Sequence, residues 1–322
     1  MPREIDTLAT PAHVKPKKLI VLSAPRTGTH GLYLAFKQLG YKPYHMAEVL
    51  ATGAPAIKIM TDAMKAEWFH EGAPYGREEL DKWFADYDVI IEMPFFMLRS
   101  VLKAYPDAKF LLTERDPNKW AKSYLNTIGL AATRFRQFPM SIFKHFDSFT
   151  FNMDIFGGQM LGYCTNGFGV SDQGRQALVE NYTAYIADVK RLVPPEQLKV
   201  IKLEDGLGWN ELCPYMDIPI PDTPWPSLNT PEEFHSIVAP KVQKAVSKGM
   251  AGVTTVIAIA AIGISSQMVA KERSEEEMRR WHSSSWAIII FEYGGNELLR
   301  DSSNVLGSGF RIEYGGGYDY EH

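Results

Sequence analysis

Cysteine is scarce in this chain: Cys164 and Cys213 are the only two among 322 residues. So few cysteines exclude a disulfide framework and a cysteine-based metal site, and this scarcity fits a reducing compartment, so the cytoplasm is expected. Because the histidines show no ligand spacing either, we expect no metal. The net charge of −4 gives no reason to expect nucleic acid as a partner. Residues 1–16 contain no apolar stretch of the kind found in secretory signals.

Residues 249–270 lack charge altogether, and the run 256–264 is continuously apolar. The length suits a transmembrane helix, although Thr254, Thr255 and Ser265 lower the tendency to insert. Two interpretations stay open. The segment is either a membrane anchor, with the preceding domain on the cytoplasmic side, or a buried or oligomer-packing helix. The oligomeric state is not predicted.

Strand and helix patterns alternate from residue 17 to about residue 230, as an α/β fold requires. Strands are expected at residues 19–22, 88–93, 108–113 and 199–203. The chain is therefore divided into an N-terminal extension (1–16), an α/β domain (17–248), the apolar helix (249–270) and a C-terminal tail without a motif (271–322).

The turn after the first strand has the composition of an anion-binding loop. It consists of residues 25–29, Pro-Arg-Thr-Gly-Thr, and a helix with an apolar face follows at once. Backbone N–H groups at a helix start lack intrahelical partners, and the helix dipole adds positive potential there. Thr27 and Thr29 add hydroxyl donors, Gly28 permits close approach, and Arg26 adds a cation. Thr29 stands where the nucleotide-triphosphatase motif has lysine, so Mg·ATP is not the expected ligand.

A second anion site is indicated downstream. Arg115 ends the third predicted strand, where open α/β sheets bind ligands, and Ser123 follows about two helical turns later. An arginine and a hydroxyl aimed together suit a separate phosphate. Alone, the Arg-Asp-Pro segment is weak evidence, because it also fits a plain strand end and helix start.

The two segments together resemble the sulfotransferase family of P-loop folds, which use 3′-phosphoadenosine-5′-phosphosulfate (PAPS). The similarity covers residues 17–230 and is strongest to the fungal-type branch with Pro-Arg-Thr-Gly-Thr. Further residues that carry it are Gly40-Tyr41, Tyr44-His45-Met46, the stretch 105–110, Trp209 to Cys213 and Pro224 to Asn229. The resemblance implies a three-layer P-loop fold, with a central parallel sheet flanked by helices.

It also implies a role for each matching residue. Arg26, Thr27, Gly28, Thr29 and His30 would hold the 5′-phosphosulfate, and Arg115 with Ser123 the 3′-phosphate. His30 replaces the usual second hydroxyl residue, and Arg26 replaces the lysine of cytosolic members.

The catalytic base has two candidates. Glu92 stands where cytosolic members have their histidine, at the end of the second predicted strand, and a partly apolar pocket would raise its pKa. His45, in the Tyr44-His45-Met46 segment, is the alternative. Without a catalytic role, Glu92 would cap a loop or pair with Arg26 or Arg115, and His45 would be structural.

The resulting prediction is a sulfotransferase that moves the sulfuryl group of PAPS to a hydroxyl of a small, apolar or phenolic acceptor, with Arg26 as leaving-group stabiliser and no metal. Three alternatives stay open: a nucleotide kinase or NTPase, a non-catalytic membrane-tethered nucleotide-binding protein, and a dinucleotide-dependent oxidoreductase. The last is disfavoured because no G-x-G-x-x-G follows the first strand.

Overall fold

Short runs of leucine, isoleucine and valine form a parallel sheet at the centre of the chain. The computed structural model describes residues 3–226 and 231–293, with the side chains of residues 3–226 and 239–283. The strands are β1 (Leu19–Val21), β2 (Pro43–Tyr44), β3 (Val89–Ile91), β4 (Phe110–Glu114) and β5 (Leu198–Lys202), in the spatial order β2-β3-β1-β4-β5. Every neighbouring pair is parallel.

Helices lie between successive strands and follow the last one. They are α1 (Thr29–Gln38), α2 (Met46–Thr52), α3 (Ala54–Met64), α4 (Arg77–Phe84), α5 (Leu98–Ala104), α6 (Pro117–Tyr124), α7 (Leu130–Arg134), α8 (Met140–Phe143), α9 (Ser148–Cys164), α10 (Asp172–Leu192), α11 (Trp209–Met216) and α12 (Pro231–Tyr293). Shorter helical turns lie at Glu4–Thr7, Lys65–Phe69, Met93–Phe96, Leu125–Gly129, Lys144–Phe146, Pro195–Gln197 and Leu203–Asp205.

Side chains alternate between two apolar cores because successive strand residues point to opposite faces. Ile20, Ile90 and Leu112 belong to the larger core, with α3, α5, α9 and α10. Leu19 and Val21 belong to the smaller one, with α1 and α11. Burial on both faces explains why the strands are continuously apolar. The expected three-layer α/β fold with a central parallel sheet is confirmed.

Four of the five strands lie where the sequence pattern predicts them. The exception is β2, a two-residue edge strand beside β3, which the pattern missed because Pro43 occupies half of it. The first described residues also pack on the α/β domain: Ile5 is fully buried, and Arg3 forms an ion pair with Glu79 at 2.8 Å.

α12 is one continuous helix over Pro231–Tyr293, whereas the sequence predicted a separate apolar helix at residues 249–270. The chain divides into two compact units, residues 1–256 and residues 257–322. The tail beyond residue 293 and residues 227–230, which include Asn229 of the family resemblance, lie outside the described residues.

Candidate active site

The anion loop (residues 25–29) is held from inside by buried hydroxyl groups. The Thr27 hydroxyl donates to the carbonyl of Ala24 at 2.7 Å, and the Thr113 hydroxyl donates to the carbonyl of Thr27 at 2.7 Å. Thr27 is fully buried. Its hydroxyl therefore fixes the loop against β4 and does not point outward as a phosphate donor, contrary to expectation. Only its backbone N–H stays a candidate contact.

Two residues of the loop adopt positive φ angles. Gly28 has φ 86° and Arg26 has φ 72°. A side chain on Gly28 would bring its Cβ to 3.0 Å from Leu203 and 3.2 Å from Leu207, in addition to the strain of that φ. At Arg26, a non-glycine residue in this region is uncommon and costs conformational energy, a feature that clusters at functional sites.

The loop leads directly into the positive end of α1. Gly28 is the N-cap and offers no side-chain hydrogen bond to the first turn. The N-terminus of the ten-residue helix therefore presents backbone donors and the dipole's positive potential beside Arg26. These donors fit a phosphate or sulfate group.

Arg115 and Ser123 both contact Arg26 of the loop. The Arg26 Nε donates to the Ser123 hydroxyl at 3.3 Å, and Arg115 Nη1 donates to the carbonyl of Arg26 at 3.0 Å. All three side chains are partly exposed. The two arginines and the hydroxyl thus form one basic cluster that solvent can reach.

Local structure explains how β4 and α6 present this cluster. Asp116 caps α6 by accepting from the Lys119 N–H at 2.8 Å, and Pro117 occupies the first helical turn. The Trp120 indole donates to the carbonyl of Pro25 at 2.8 Å, so α6 also holds the anion loop. The N–H of Arg115 donates to the Tyr182 hydroxyl at 3.0 Å, which ties the strand end to α10.

Glu92 follows β3 and reaches the start of α1. Its carboxylate Oε2 accepts from the Thr29 hydroxyl at 2.5 Å and lies 3.1 Å from His45 Nε2. Glu92 is 5 % exposed and has φ 71° and ψ −33°, a strained conformation for a glutamate. The structure thus brings together Thr29, His45 and Glu92, which are far apart in the sequence.

Hydrogen bonds fix which nitrogen of His45 carries its proton. As the N-cap of α2, His45 accepts at Nδ1 from the Ala47 N–H at 3.2 Å. A neutral ring that accepts at Nδ1 carries its hydrogen on Nε2, so Nε2–H donates to Glu92. In this arrangement His45 is a donor toward the site and has no lone pair there to receive a proton.

The pKa of Glu92 is lowered, whereas an apolar pocket alone was expected to raise it. Burial acts in the expected direction, but His45, the Thr29 hydroxyl and the positive charge of Arg26 outweigh it. The pKa of Arg26 is lowered, mainly by burial, although the negative charge of Glu92 acts to raise it. Glu92 is thus a carboxylate near neutral pH, next to a cation.

Tyr33 also belongs to this site, although the sequence patterns did not indicate it. Its ring stacks on His45 at 5.2 Å and on His30 at 5.8 Å between centroids, and its hydroxyl donates to Glu48 at 2.6 Å. Burial is the largest cause of its raised pKa. The spacing of four residues between Thr29 and Tyr33 on α1 was the available signal, since it places both on one helix face.

Among residues 3–226 and 231–293, no group of three or more histidine, cysteine, aspartate or glutamate side chains is placed to hold a metal ion. The polar groups assembled at this end of the sheet are two arginines, hydroxyls, the histidines His30 and His45, and the carboxylates of Glu92 and Glu48. Such a set can bind an anion, and Glu92 is the buried carboxylate beside it.

Comparisons with known proteins identify the family. The sulfotransferase domain family matches residues 18–234. The chain belongs to the sulfotransferase family. A relative from Aspergillus versicolor, Ava biosynthesis cluster protein M, is 30% identical over 214 residues, which cover 66% of this chain and 81% of the relative. A solved sulfotransferase of Alicyclobacillus acidocaldarius is 15% identical with a TM-score of 0.38, covering 74% of this chain and 96% of its own.

Proposed function

We propose that this sulfotransferase takes the sulfuryl group from PAPS and transfers it to the hydroxyl of a small, apolar or phenolic acceptor. The observation that carries the proposal is the buried Glu92 carboxylate, bonded to the first residue of α1 beside Arg26. A general base and an anion-binding helix start then meet at one point, as sulfuryl transfer requires.

On the donor side, the loop is suited to the 5′-phosphosulfate. The backbone donors at the start of α1 and the Arg26 guanidinium would hold its oxygens, with His30 at the next position. Arg115 and Ser123 would hold the 3′-phosphate, because both contact Arg26 from the β4 and α6 side. Thr29 would contribute its N–H, since its hydroxyl already donates to Glu92.

The proposed reaction is an in-line displacement at sulfur. The acceptor oxygen forms a bond to sulfur while the bond from sulfur to the bridging oxygen of the nucleotide breaks. The acceptor's proton passes to Glu92, and 3′,5′-ADP leaves with its new negative charge beside Arg26. The products are a sulfate ester and 3′,5′-ADP.

A lowered pKa does not prevent Glu92 from acting as base. The acceptor hydroxyl becomes far more acidic as its oxygen bonds to sulfur, so a weakly basic carboxylate can take the proton late in the step. A bound anionic donor also adds negative charge near Glu92 and raises the pKa of its carboxyl from the low value in the free protein.

Two observations support a small and apolar or phenolic acceptor. The turn that follows Glu92, Met93–Phe96, is wholly apolar and buried, so the surroundings of the carboxylate on this side are hydrophobic. The relative from Aspergillus versicolor is named a biosynthesis cluster protein, which favours a small-molecule acceptor.

His45 is assigned as a positioning residue for Glu92. We expect His45→Phe, which keeps a ring beside Tyr33 but removes the Nε2 donor, to lower kcat about 10- to 100-fold, the range for one hydrogen bond to a charged group. Loss of that donor also raises the pKa of Glu92, so the acid limb of the kcat/KM profile moves to higher pH. His45→Gln, which can donate again, restores part of both. Complete loss of turnover in both variants would instead make His45 the base.

Calorimetry tests the donor assignment against a kinase. We expect purified protein to bind 3′,5′-ADP without magnesium and at least tenfold more tightly than ATP·Mg²⁺, because the residue after Gly28 is Thr29 where kinases have lysine. The reverse order of affinities would favour the kinase or NTPase alternative.

A further inference from the structure

The uncharged stretch of α12 has no apolar stripe of the kind that faces a protein core. Ile257, Ile259, Ile262 and Ile264 are each 60 to 67 % exposed, and none of the most apolar window of the helix is buried. A soluble amphipathic helix has one polar face, but residues 249–270 carry no charged side chain on any face. Residues 254–270 are exposed on every face, and their isoleucines require an apolar environment.

The length of the uncharged stretch matches a bilayer. Its 22 residues extend about 33 Å as a helix, against about 30 Å for the hydrocarbon core of a membrane. Lys248 and Lys271 stand at its two ends, where lipid headgroups would lie. A single helix of this kind is the one candidate span among the described residues, within Ala239–Ser283.

A second apolar surface lies beside the start of the uncharged stretch, in the first compact unit. Phe138 is 81 % exposed, and Ile142 and Phe146 are 44 % and 37 % exposed. Arg134 and Arg136 are exposed next to Phe138. Large apolar side chains flanked by cations are typical of segments that lie in a membrane interface. We call residues 138–146 the interfacial segment.

Tight contacts fix the interfacial segment to α12. A Cβ on Gly249 would lie under 3.0 Å from the Phe143 ring, and one on Gly252 would lie equally close to the Phe146 ring. Lys248 pairs with the buried Asp147 at 2.8 Å. The segment is therefore held at the point where the uncharged stretch begins, which is where a membrane surface would meet the domain.

We propose that residues 249–270 span a lipid bilayer and that the interfacial segment rests on the surface of that bilayer. The matched length, the missing charge on every helix face and the exposed aromatic segment at one end are independent observations. A second copy of this chain packed along α12 is the alternative occupant, and the flotation experiment distinguishes it from a bilayer. The proposal does not depend on the identity of the donor or the acceptor.

Vesicle flotation tests the span. The full chain is synthesised in the presence of phosphatidylcholine vesicles, the vesicles are floated, and the fraction of protein that floats with them is measured. We expect the unaltered chain to float with the vesicles. Ile262→Arg should reduce the fraction of protein that floats at least tenfold, whereas Met278→Arg should float like the unaltered chain. Both substitutions place arginine at a similarly exposed position, 67 % and 61 %, and only Ile262 lies in the uncharged stretch. Resistance of the α/β domain to limited proteolysis checks that each variant is folded.

Failure of the unaltered chain to float, or equal flotation of all three proteins, would overturn the span. A soluble oligomer that Ile262→Arg converts to a monomer would assign the helix to a second copy instead.

The interfacial segment is tested with a fluorescent label on the floated full chain. Phe138→Cys is labelled and compared with Phe168→Cys, which is 52 % exposed and lies beyond the far end of α9. Both native cysteines are buried, so the label goes to the new one. Nitroxide-bearing phosphatidylcholine should quench the label at position 138 several-fold more than at position 168. Equal quenching, or none at either position, would overturn the contact.

Discussion

Glu92→Gln is expected to reduce kcat about 1,000-fold, within the range for loss of a general base. Glutamine keeps the size of the side chain and can still accept the Thr29 hydroxyl, which donates to Glu92 at 2.5 Å. It cannot take a proton at neutral pH. The affinity for 3′,5′-ADP should change by less than about threefold, because the groups assigned to that nucleotide are on the loop, β4 and α6. Rate assays with saturating PAPS measure kcat, and calorimetry measures the affinity.

Glu67→Gln is the matched control for this experiment. Glu67 is a partly buried carboxylate that accepts from the Arg99 N–H at 2.7 Å and the Ser100 hydroxyl at 2.8 Å. It lies on the turn after α3 and takes no part in the proposed reaction. Its neutralisation should lower stability and leave kcat near the unaltered value. Retained turnover in Glu92→Gln would move the base elsewhere.

The pH profile follows from the same group. Because the pKa of Glu92 is lowered, its side chain stays ionised at pH values below 4.5, the ordinary pKa of glutamate. The free-protein profile of kcat/KM should therefore lose activity only below about pH 4.5 on the acid side. The kcat profile reports the complex, where the anionic donor raises the pKa, so its acid limb should lie at higher pH. Coincident limbs would contradict Glu92 as the titrating base.

Arg115→Ala is expected to weaken 3′,5′-ADP about 10- to 100-fold and adenosine 5′-phosphosulfate by less than about threefold. The difference follows because one charge-assisted contact to the 3′-phosphate is removed, and adenosine 5′-phosphosulfate lacks that phosphate. Calorimetry with the two nucleotides measures the difference directly.

The control addresses the second contact of Arg115. Its guanidinium also donates to the carbonyl of Arg26 at 3.0 Å and so supports the anion loop. If that support were its main role, both nucleotides would lose affinity equally, and the 3′-phosphate assignment would fail. Lys122→Ala removes an exposed cation from α6 next to Ser123 and should change neither affinity beyond about twofold, which excludes a general effect of charge.

The sheet was predictable because its strands are buried on both faces and appear as apolar runs. The anion loop and the Arg115–Ser123 segment were predictable for a similar reason: each is a local pattern whose residues are consecutive or one helix apart. The sequence did not show that Arg26 of the loop contacts both Arg115 and Ser123. β2 was not predicted, because a strand of two residues is too short to show an alternating pattern.

The chemistry around Glu92 was only partly predictable. Its position after β3 was expected, but its pKa depends on His45 and Thr29, which are 47 and 63 residues away in the chain. The N-cap bond that fixes the His45 tautomer likewise requires knowing where α2 begins. The inward turn of the Thr27 hydroxyl depends on Thr113 across the sheet. Contacts between residues so far apart in the chain produce no local sequence pattern from which they could be predicted.

Transfer of labelled sulfate tests the proposed sulfotransferase activity most directly. The full chain is incubated with PAPS that carries labelled sulfur and with a panel of small phenols and aliphatic alcohols, and the labelled sulfate esters are counted. We predict transfer to at least one acceptor without added metal, and loss of that transfer in Glu92→Gln. Binding of 3′,5′-ADP with no transfer to any acceptor would contradict it and favour a nucleotide-binding protein without catalysis.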